Sequence, residues 1–415
     1  MTAEGDENYL TTAEVARRLQ VKPETIYAYV SRGLLTSIRA RGRRGSLFAA
    51  ADVERVASRS VDHSGVVERI ESELTLLQDD NLYYRGHSAT ELATTWAVEQ
   101  VANLLWTGQP PLPTRSGVTL PAQDPPAPNR AGLGATAAVD AKATFAVERV
   151  GIDLARRAMD VAPETARLTD RLRVAVAVLG AADPLRFDLS TPSVTAAAGR
   201  LIGNLVTALP GDYVGPDATL GARLWPKLSS DEPRPELLDA ILILLADHGL
   251  AVSTVAARVA ASARANLYAV ISAGLGALDG QYHGAAPTLA YEFLQRAQQD
   301  PLKALSDQLR SGEPIPGFGH RIYQHRDPRA EVLLGLLGDH PIVGTITAIA
   351  ARTPTFPNSD LAIAAIMHAY NFRPDAGDAL FALARMIGWT AHALEEYAAP
   401  ALRFRAMGIY TGQTT

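Results

Sequence analysis

A mainly α-helical protein carrying a small, differently built N-terminal module is what the sequence predicts, on three observations. From about residue 64 the apolar residues recur at helical spacing almost without a break, with proline and glycine marking the boundaries. Period-two alternation rich in Val, Ile and Thr is scarce. Before residue 60, short capped helices lead into an arginine-rich turn. With 415 residues, 47% of them apolar and 20% charged, the chain can bury a large core and is long enough for about two or three domains.

The first element is LTTAEVARRLQV, where Thr11 and Glu14 are spaced as a capping box and Leu10, Val15 and Leu19 share a helical face. Pro23 then opens PETIYAYVSRG, which closes on Gly33 as a C-terminal cap. RARGRRG (39–45) reads as the turn of a two-stranded wing before a third helix, ADVERVAS. Helix, tight turn, helix and basic wing is the order of a winged helix-turn-helix, and residues 1–62 resemble the MerR and excisionase DNA-binding families. DNA is therefore a candidate partner of this module. Residues 1–60 hold ten Lys/Arg against seven Asp/Glu, a small net +3. The whole chain, at −5, gives no general reason to expect nucleic acid or an anionic membrane.

Downstream, residues 110–128 hold seven of the 26 prolines and read, with the Ala-rich stretch to about 139, as an irregular surface insertion. STVAARVAASARANLYAVISAGLGAL (253–278) is a long apolar helical region whose Ala, Ser and Gly allow close helix approach, as in a subunit interface. There is no cysteine, so neither a disulfide nor a thiolate site can form. The opening MTAEGDENYL lacks a basic segment followed by an apolar one, and no apolar run reaches the roughly 20 residues that span a bilayer. The cytoplasm is the expected location, with no membrane partner.

Four stretches carry chemistry. PGFGHRIYQHRDPRA (316–330) packs two of the nine histidines and three arginines behind a Pro-Gly-x-Gly turn. LILLADHGLAVST (242–254) places His248 just before a helix with Ser253 as its expected cap. GALDGQYHGAAPTLAYEFL (276–294) puts His283 in a Gly-bounded turn before a helix with Pro287 in its first turn, and FPNSDLAIAAIM (356–367) puts Asp360 at another helix start. One histidine near a helix end is ordinary. Three of them and a carboxylate, all at helix starts or glycine turns, point to convergence on a ligand.

These blocks, with LYYRGHSATELA and VANLLWTGQPP (82–111), LRVAVAVLGAADP (172–184), FALARMIGWTAHALEE (381–396) and RFRAMGIYTG (403–412), resemble the citrate synthase family in order from about 74 to 412. The resemblance implies large and small helical domains: 63–278 the first part of the large domain, 279–384 the small domain, and 385–415 a return to the large one. It implies a homodimer with shared active sites, or a higher oligomer. It makes Asp360 the catalytic base, His283 the group that stabilises the enolate, and His320 the one that polarises the oxaloacetate carbonyl. His248, Arg329 and Arg385 match oxaloacetate ligands, Arg403 matches the arginine supplied by the partner subunit, and Pro314, Ile315, Pro316, Gly317, Phe318 and Gly319 match part of the coenzyme A site.

The residue types suit that chemistry. Planar guanidinium groups grip carboxylates through paired charge-assisted hydrogen bonds. A thioester α-proton is weakly acidic, so a carboxylate removes it only if the enolate is stabilised as it forms, which neutral imidazole can do. No HxxxH or HxH pair occurs, and neither a metal nor a tightly bound cofactor is expected. The implied reaction condenses acetyl-CoA with oxaloacetate to citrate and CoA. The alternatives are 2-methylcitrate synthase using propionyl-CoA, and a metabolite-sensing DNA-binding regulator on the same fold. The chain departs from the family pattern at Gly249-Leu250-Ala251, at Gln281, Tyr282 and Pro287 around His283, and at Gln324, where a Lys or Arg usually faces coenzyme A phosphate.

Overall fold

The computed structural model describes residues 9–19, 21, 23–31, 35–39, 46–50, 52–53, 69–110, 144–280, 284, 286–404 and 412. The chain divides into two compact units, Met1–Ile70 with Leu402–Thr415, and Glu71–Ala401.

In the first unit, Thr11 caps the helix Thr12–Arg18 and Glu14 reaches back to the Thr11 N–H at 2.8 Å, the expected capping box. Pro23 opens the second helix, Pro23–Ser31. The strands β1 (Tyr9–Thr11), β2 (Ser37–Arg39) and β3 (Ser46–Ala49) form an antiparallel sheet in the order β1-β3-β2, with Ser37 opposite Phe48 and Arg39 opposite Ser46. Val15, Ile26, Leu35, Phe48 and Val53 make its core, with Leu10 and Leu19 packed against it. Helix, helix and a β2–β3 pair follow the expected order of the module; Gly33, the arginine turn 40–45 and most of the third helix expected at ADVERVAS lie outside the described residues, as does most of the insertion at 110–139.

The second unit opens on three short strands, a break in the helical pattern that the sequence reading from about residue 64 did not locate. β4 (Thr75–Gln78), β5 (Asn81–Tyr84) and β6 (His87–Ser88) form an antiparallel sheet. Asp79 and Asp80 turn the first hairpin with φ of 51° and 53°, a mirror-image turn matching the twist of paired strands. The Tyr84 hydroxyl is buried and donates toward the carbonyls of Ile243, Leu244 and Asp247, pinning the sheet beneath the end of a later helix.

Helices follow: Ala89–Thr95, Val98–Thr107, Arg149–Asp160, Leu168–Ala182, Thr191–Ala208, Leu220–Leu228, Pro235–Leu244, Val252–Ser262, Leu267–Leu278, Ala286–Ala297, Pro301–Ser311, Pro328–Leu337, Pro341–Ala350, Ser359–Ala369 and Ala376–Ala398. Several open on proline, whose missing N–H costs nothing at the first helical position. The 253–278 region is two helices rather than one: Arg264 takes φ 60°, ending the first, and Asn266 caps the second through the Ala269 N–H. Nor does Ser253 cap its helix. Ala251 has the extended cap backbone, while Ser253 lies buried within the first turn. The long helix Ala376–Ala398 is buried almost continuously to Ala393. It packs on Val98–Thr107, Thr191–Ala208, Pro235–Leu244, Val252–Ser262, Leu267–Leu278 and Ser359–Ala369.

Candidate active site

Three loop-to-helix junctions of the second unit meet at one place. The turn after Pro235–Leu244 brings His248, 6% exposed. The loop before Pro328–Leu337 brings His320, Tyr323, Asp327 and Arg329, and the start of Ser359–Ala369 brings Asp360. The rings of His248 and His320 lie 5.2 Å apart edge to face, and Tyr323 packs against both at 5.3 and 4.8 Å. The Tyr323 hydroxyl and His248 Nε2 share a 3.0 Å hydrogen bond.

Two buried arginines complete the pocket. Arg329 pairs with Asp327 through Nε at 3.0 Å and Nη2 at 2.8 Å, and its guanidinium lies over the Tyr323 ring. Burial works against the Arg329 charge, but Asp327 outweighs it and holds the group protonated. Asp327 also caps the helix Pro328–Leu337 and accepts from the Ser359 N–H at 2.9 Å, tying the 320s loop to the helix that carries Asp360. Arg385, from the long helix, is 2% exposed and lies over Phe381. Its Nε and Nη1 find no acceptor among the described residues. A buried guanidinium with unsatisfied N–H groups is costly, and an anionic ligand removes that cost.

His320 has a defined tautomer. Its Nδ1 accepts from the Ile322 and Tyr323 N–H groups at 3.1 and 3.3 Å, so in the neutral ring Nε2 carries the proton. Burial, with the Arg329 charge, lowers its pKa to about 4, and His248 is pushed well below the ordinary range by burial and by Arg329 and Arg385. Both rings are neutral near pH 7. Asp360 moves the other way: burial lifts it to about 6, with Asp327 adding and Arg329 and Arg385 opposing. The pocket thus holds a carboxylate of raised basicity, an imidazole able only to donate at its outer nitrogen, and two cationic forks.

The loop Pro314–Gly319 is bound to the same helix start. Gly319 N–H donates to the Phe356 carbonyl at 2.7 Å, Asn358 N–H to Gly317 at 2.9 Å, and the Asn358 amide to Gly319 at 2.9 Å. Asn358, not Asp360, is the N-cap. Gly317 has φ 79° and a Cβ there would stand 2.6 Å from Leu361 Cβ, so only glycine lets the loop lie this close.

Of the residues singled out from sequence, His248, His320, Arg329, Asp360 and Arg385 are neighbours. His283 lies outside the described residues. Arg403 belongs to the first unit, where its guanidinium lies over the Phe404 ring. Sequence reasoning missed Tyr323, Asp327 and Asn358. Asp-Pro and Pro-Asn ahead of helices are capping signals that could have marked the last two.

Fold and pocket together set two buried guanidinium groups and two neutral imidazoles beside a carboxyl of raised pKa on a helical scaffold. Residues 65–405 match the family model described as citrate synthase, C-terminal domain, and residues 9–60 match a helix-turn-helix domain. The chain is 31% identical over 371 residues to the citrate synthase of Haloferax volcanii, covering 83% of this chain and 93% of that one. It is 30% identical over 366 residues to the 2-methylcitrate synthase of Mycobacterium tuberculosis, covering 81% and 86%. The crystal structure of citrate synthase from Thermotoga maritima superposes with a TM-score of 0.65 at 25% identity, covering 84% of this chain and 95% of that one. The chain belongs to the citrate synthase family, transferases that condense an acyl-CoA with oxaloacetate. No helix among the described residues is long and apolar enough to cross a membrane.

Proposed function

We propose that this protein condenses acetyl-CoA with oxaloacetate, releasing citrate and coenzyme A, in the pocket of His248, His320, Tyr323, Arg329, Asp360 and Arg385. The observation that carries this reading is the unsatisfied, buried Arg385 fork beside Arg329, facing the same pocket as Asp360. Arg329, Arg385 and His248 bind the dicarboxylate. Asp360 takes a proton from the thioester methyl group, and His283 donates to the thioester oxygen as the enolate forms. The enolate carbon attacks the ketone carbon while His320 Nε2–H donates to the ketone oxygen, where negative charge grows. Water then cleaves the citryl thioester.

Pro314–Gly319 form part of the coenzyme A site, within a small domain spanning 279–384. Coenzyme A enters as the acyl thioester co-substrate and leaves as the free thiol product. Arg403 completes the site of the partner subunit in a homodimer. The test is free-thiol release with oxaloacetate and each acyl-CoA in turn. Release with acetyl-CoA above that with propionyl-CoA supports the reading; no release with either sinks it. The similarity to a 2-methylcitrate synthase favours one alternative, propionyl-CoA, and the same assay decides it. One methylene is worth only about 1–3 kcal/mol in an apolar pocket. The helix-turn-helix match supports a second role, duplex DNA binding by residues 9–60.

A further inference from the structure

Behind His248 runs a chain of buried charged groups that the condensation itself does not use. Asp247 is fully buried, accepting from Thr75 Oγ1 at 2.5 Å, the Gly249 N–H at 3.0 Å and His392 Nε2 at 3.2 Å. The His392 tautomer is set from its other side. Arg258 Nη1 can only donate, and it does so to His392 Nδ1 at 2.7 Å, which leaves the Nε2 proton for Asp247. Arg258, 1% exposed, is held in turn by Glu396 through Nε at 2.5 Å and by Glu395 through Nη1 at 2.6 Å. Glu395 closes the chain on the Ser72 hydroxyl and the Glu73 N–H.

The backbone agrees with the side chains. Gly388 N–H donates to the Ala246 carbonyl at 3.1 Å, so the turn before His248 is seated on the long helix. A Cβ at Gly388 would stand 2.3 Å from the Ala246 oxygen and 2.7 Å from Asp247 Oδ1. Arg385 lies one turn before this contact and His392 one turn after it, while His248 follows Asp247 directly. The seat is therefore shared by two proposed ligands of the dicarboxylate.

We propose that Arg258, His392 and Asp247 are positioning residues that dock the 246–249 turn on the helix Ala376–Ala398, fixing His248 and Arg385 at the spacing a dicarboxylate requires. This rests on the proposed function, because it assigns a purpose to geometry around that site. None of the three touches substrate. Their effect belongs in binding of the dicarboxylate, not in recognition of the acyl-CoA.

The experiment compares His392→Leu, His392→Gln and Thr75→Val in the full-length protein. It measures both KM values, kcat, melting temperature and the rise in melting temperature on adding oxaloacetate. His392→Leu should raise KM for oxaloacetate about 10- to 100-fold, the range for partners that orient a metal-binding histidine. KM for the acyl-CoA should stay within about twofold. His392→Gln, whose amide N–H can still reach Asp247, should recover most of the loss. Thr75→Val, which deletes one hydrogen bond without changing shape, should give a smaller shift in the same KM and carries the test if His392→Leu does not fold. A merely structural role would lower the melting temperature and leave KM for oxaloacetate unchanged in every folded variant, and that result overturns the proposal. A wild type that neither turns over nor gains stability with oxaloacetate overturns the function reading and this one with it. A wild type that does both, beside variants with unaltered KM, overturns this one alone.

Discussion

Asp360→Asn separates what the proposed base contributes to catalysis from what it costs the fold. Its carboxyl sits at about 6 against an ordinary 3.8 because burial disfavours the charge. That difference is roughly two pH units, or ~3 kcal/mol at 1.36 kcal/mol per unit. Asp360 is only partly buried, and solvent screening trims the figure to about 2 kcal/mol. The sign follows from linkage: a carboxyl whose folded pKa lies above its unfolded one leaves the chain undisturbed below about pH 3, destabilises it increasingly as pH rises from about 4 to 6, and by its full amount above that. Asparagine keeps the shape and removes the charge. With an unfolding entropy of about 2.1 cal/mol/K per residue over Glu71–Ala401, ~2 kcal/mol corresponds to about 3 °C. The variant should melt about 3 °C above wild type at pH 8 and only about 1 °C above it near pH 4.5, by calorimetry, while turnover falls about 10²-fold or more. Wild-type kcat/KM should decline on the acid side of about pH 6, where the base becomes protonated. Unchanged turnover, or a lower melting temperature at pH 8, would refute the assignment.

Tyr323→Phe removes the hydroxyl bonded to His248 but keeps the ring beneath Arg329, so KM for oxaloacetate should rise about three- to tenfold, the worth of one hydrogen bond in a buried pocket. Steady-state kinetics with varied oxaloacetate would show it. If residues 9–60 bind duplex DNA, replacing Arg41, Arg43 and Arg44 together should flatten the slope of log K against log salt by about 2–3, measured by fluorescence anisotropy; no binding at low salt removes DNA as a partner. If Arg403 serves the partner's site, Asp360→Asn and Arg403→Ala homodimers should each be nearly inactive. Refolding an equal mixture should then restore about a quarter of wild-type activity, because half the dimers are mixed and one of their two sites is whole. No recovery, with mixed dimers present by native mass spectrometry, would rule out the shared site.

What the sequence made legible was whatever is written in one short stretch. Thr11 and Glu14, Pro23, and Pro287 in the first turn of Ala286–Ala297 are local signals, and each stands where the spacing put it. The hairpin at 75–84 escaped because TLLQDDNLYY lacks the Val, Ile and Thr alternation that marks a strand. What turns it is a left-handed pair at Asp79 and Asp80, a conformation aspartate adopts without advertising it. Arg264 escaped for a stronger reason. An arginine at φ 60° is held there by its surroundings, its side chain donating to the carbonyls of Glu396 and Ala399 more than 130 positions away.

The same division runs through the pocket. His248, His320, Arg329, Asp360 and Arg385 were found as chemistry-bearing types at helix starts or by resemblance, but the properties that make them useful come from neighbours distant in sequence. Asp360 is poised by burial and by the charges of Asp327, Arg329 and Arg385, none of them in its own stretch. Asp247 stands beside His248 in the sequence, yet it connects to Thr75 and His392, 172 positions before it and 145 after. Such links can be read only from the fold. They also make the pocket depend on elements that carry no ligand group, since β4 supplies Thr75 and the helix Val252–Ser262 supplies Arg258 to the chain behind His248, where they meet His392, Glu395 and Glu396 from the end of Ala376–Ala398. Placing the right residue types in the right order is therefore not sufficient for this site: their spacing is held by residues whose own role appears only once the helices have packed.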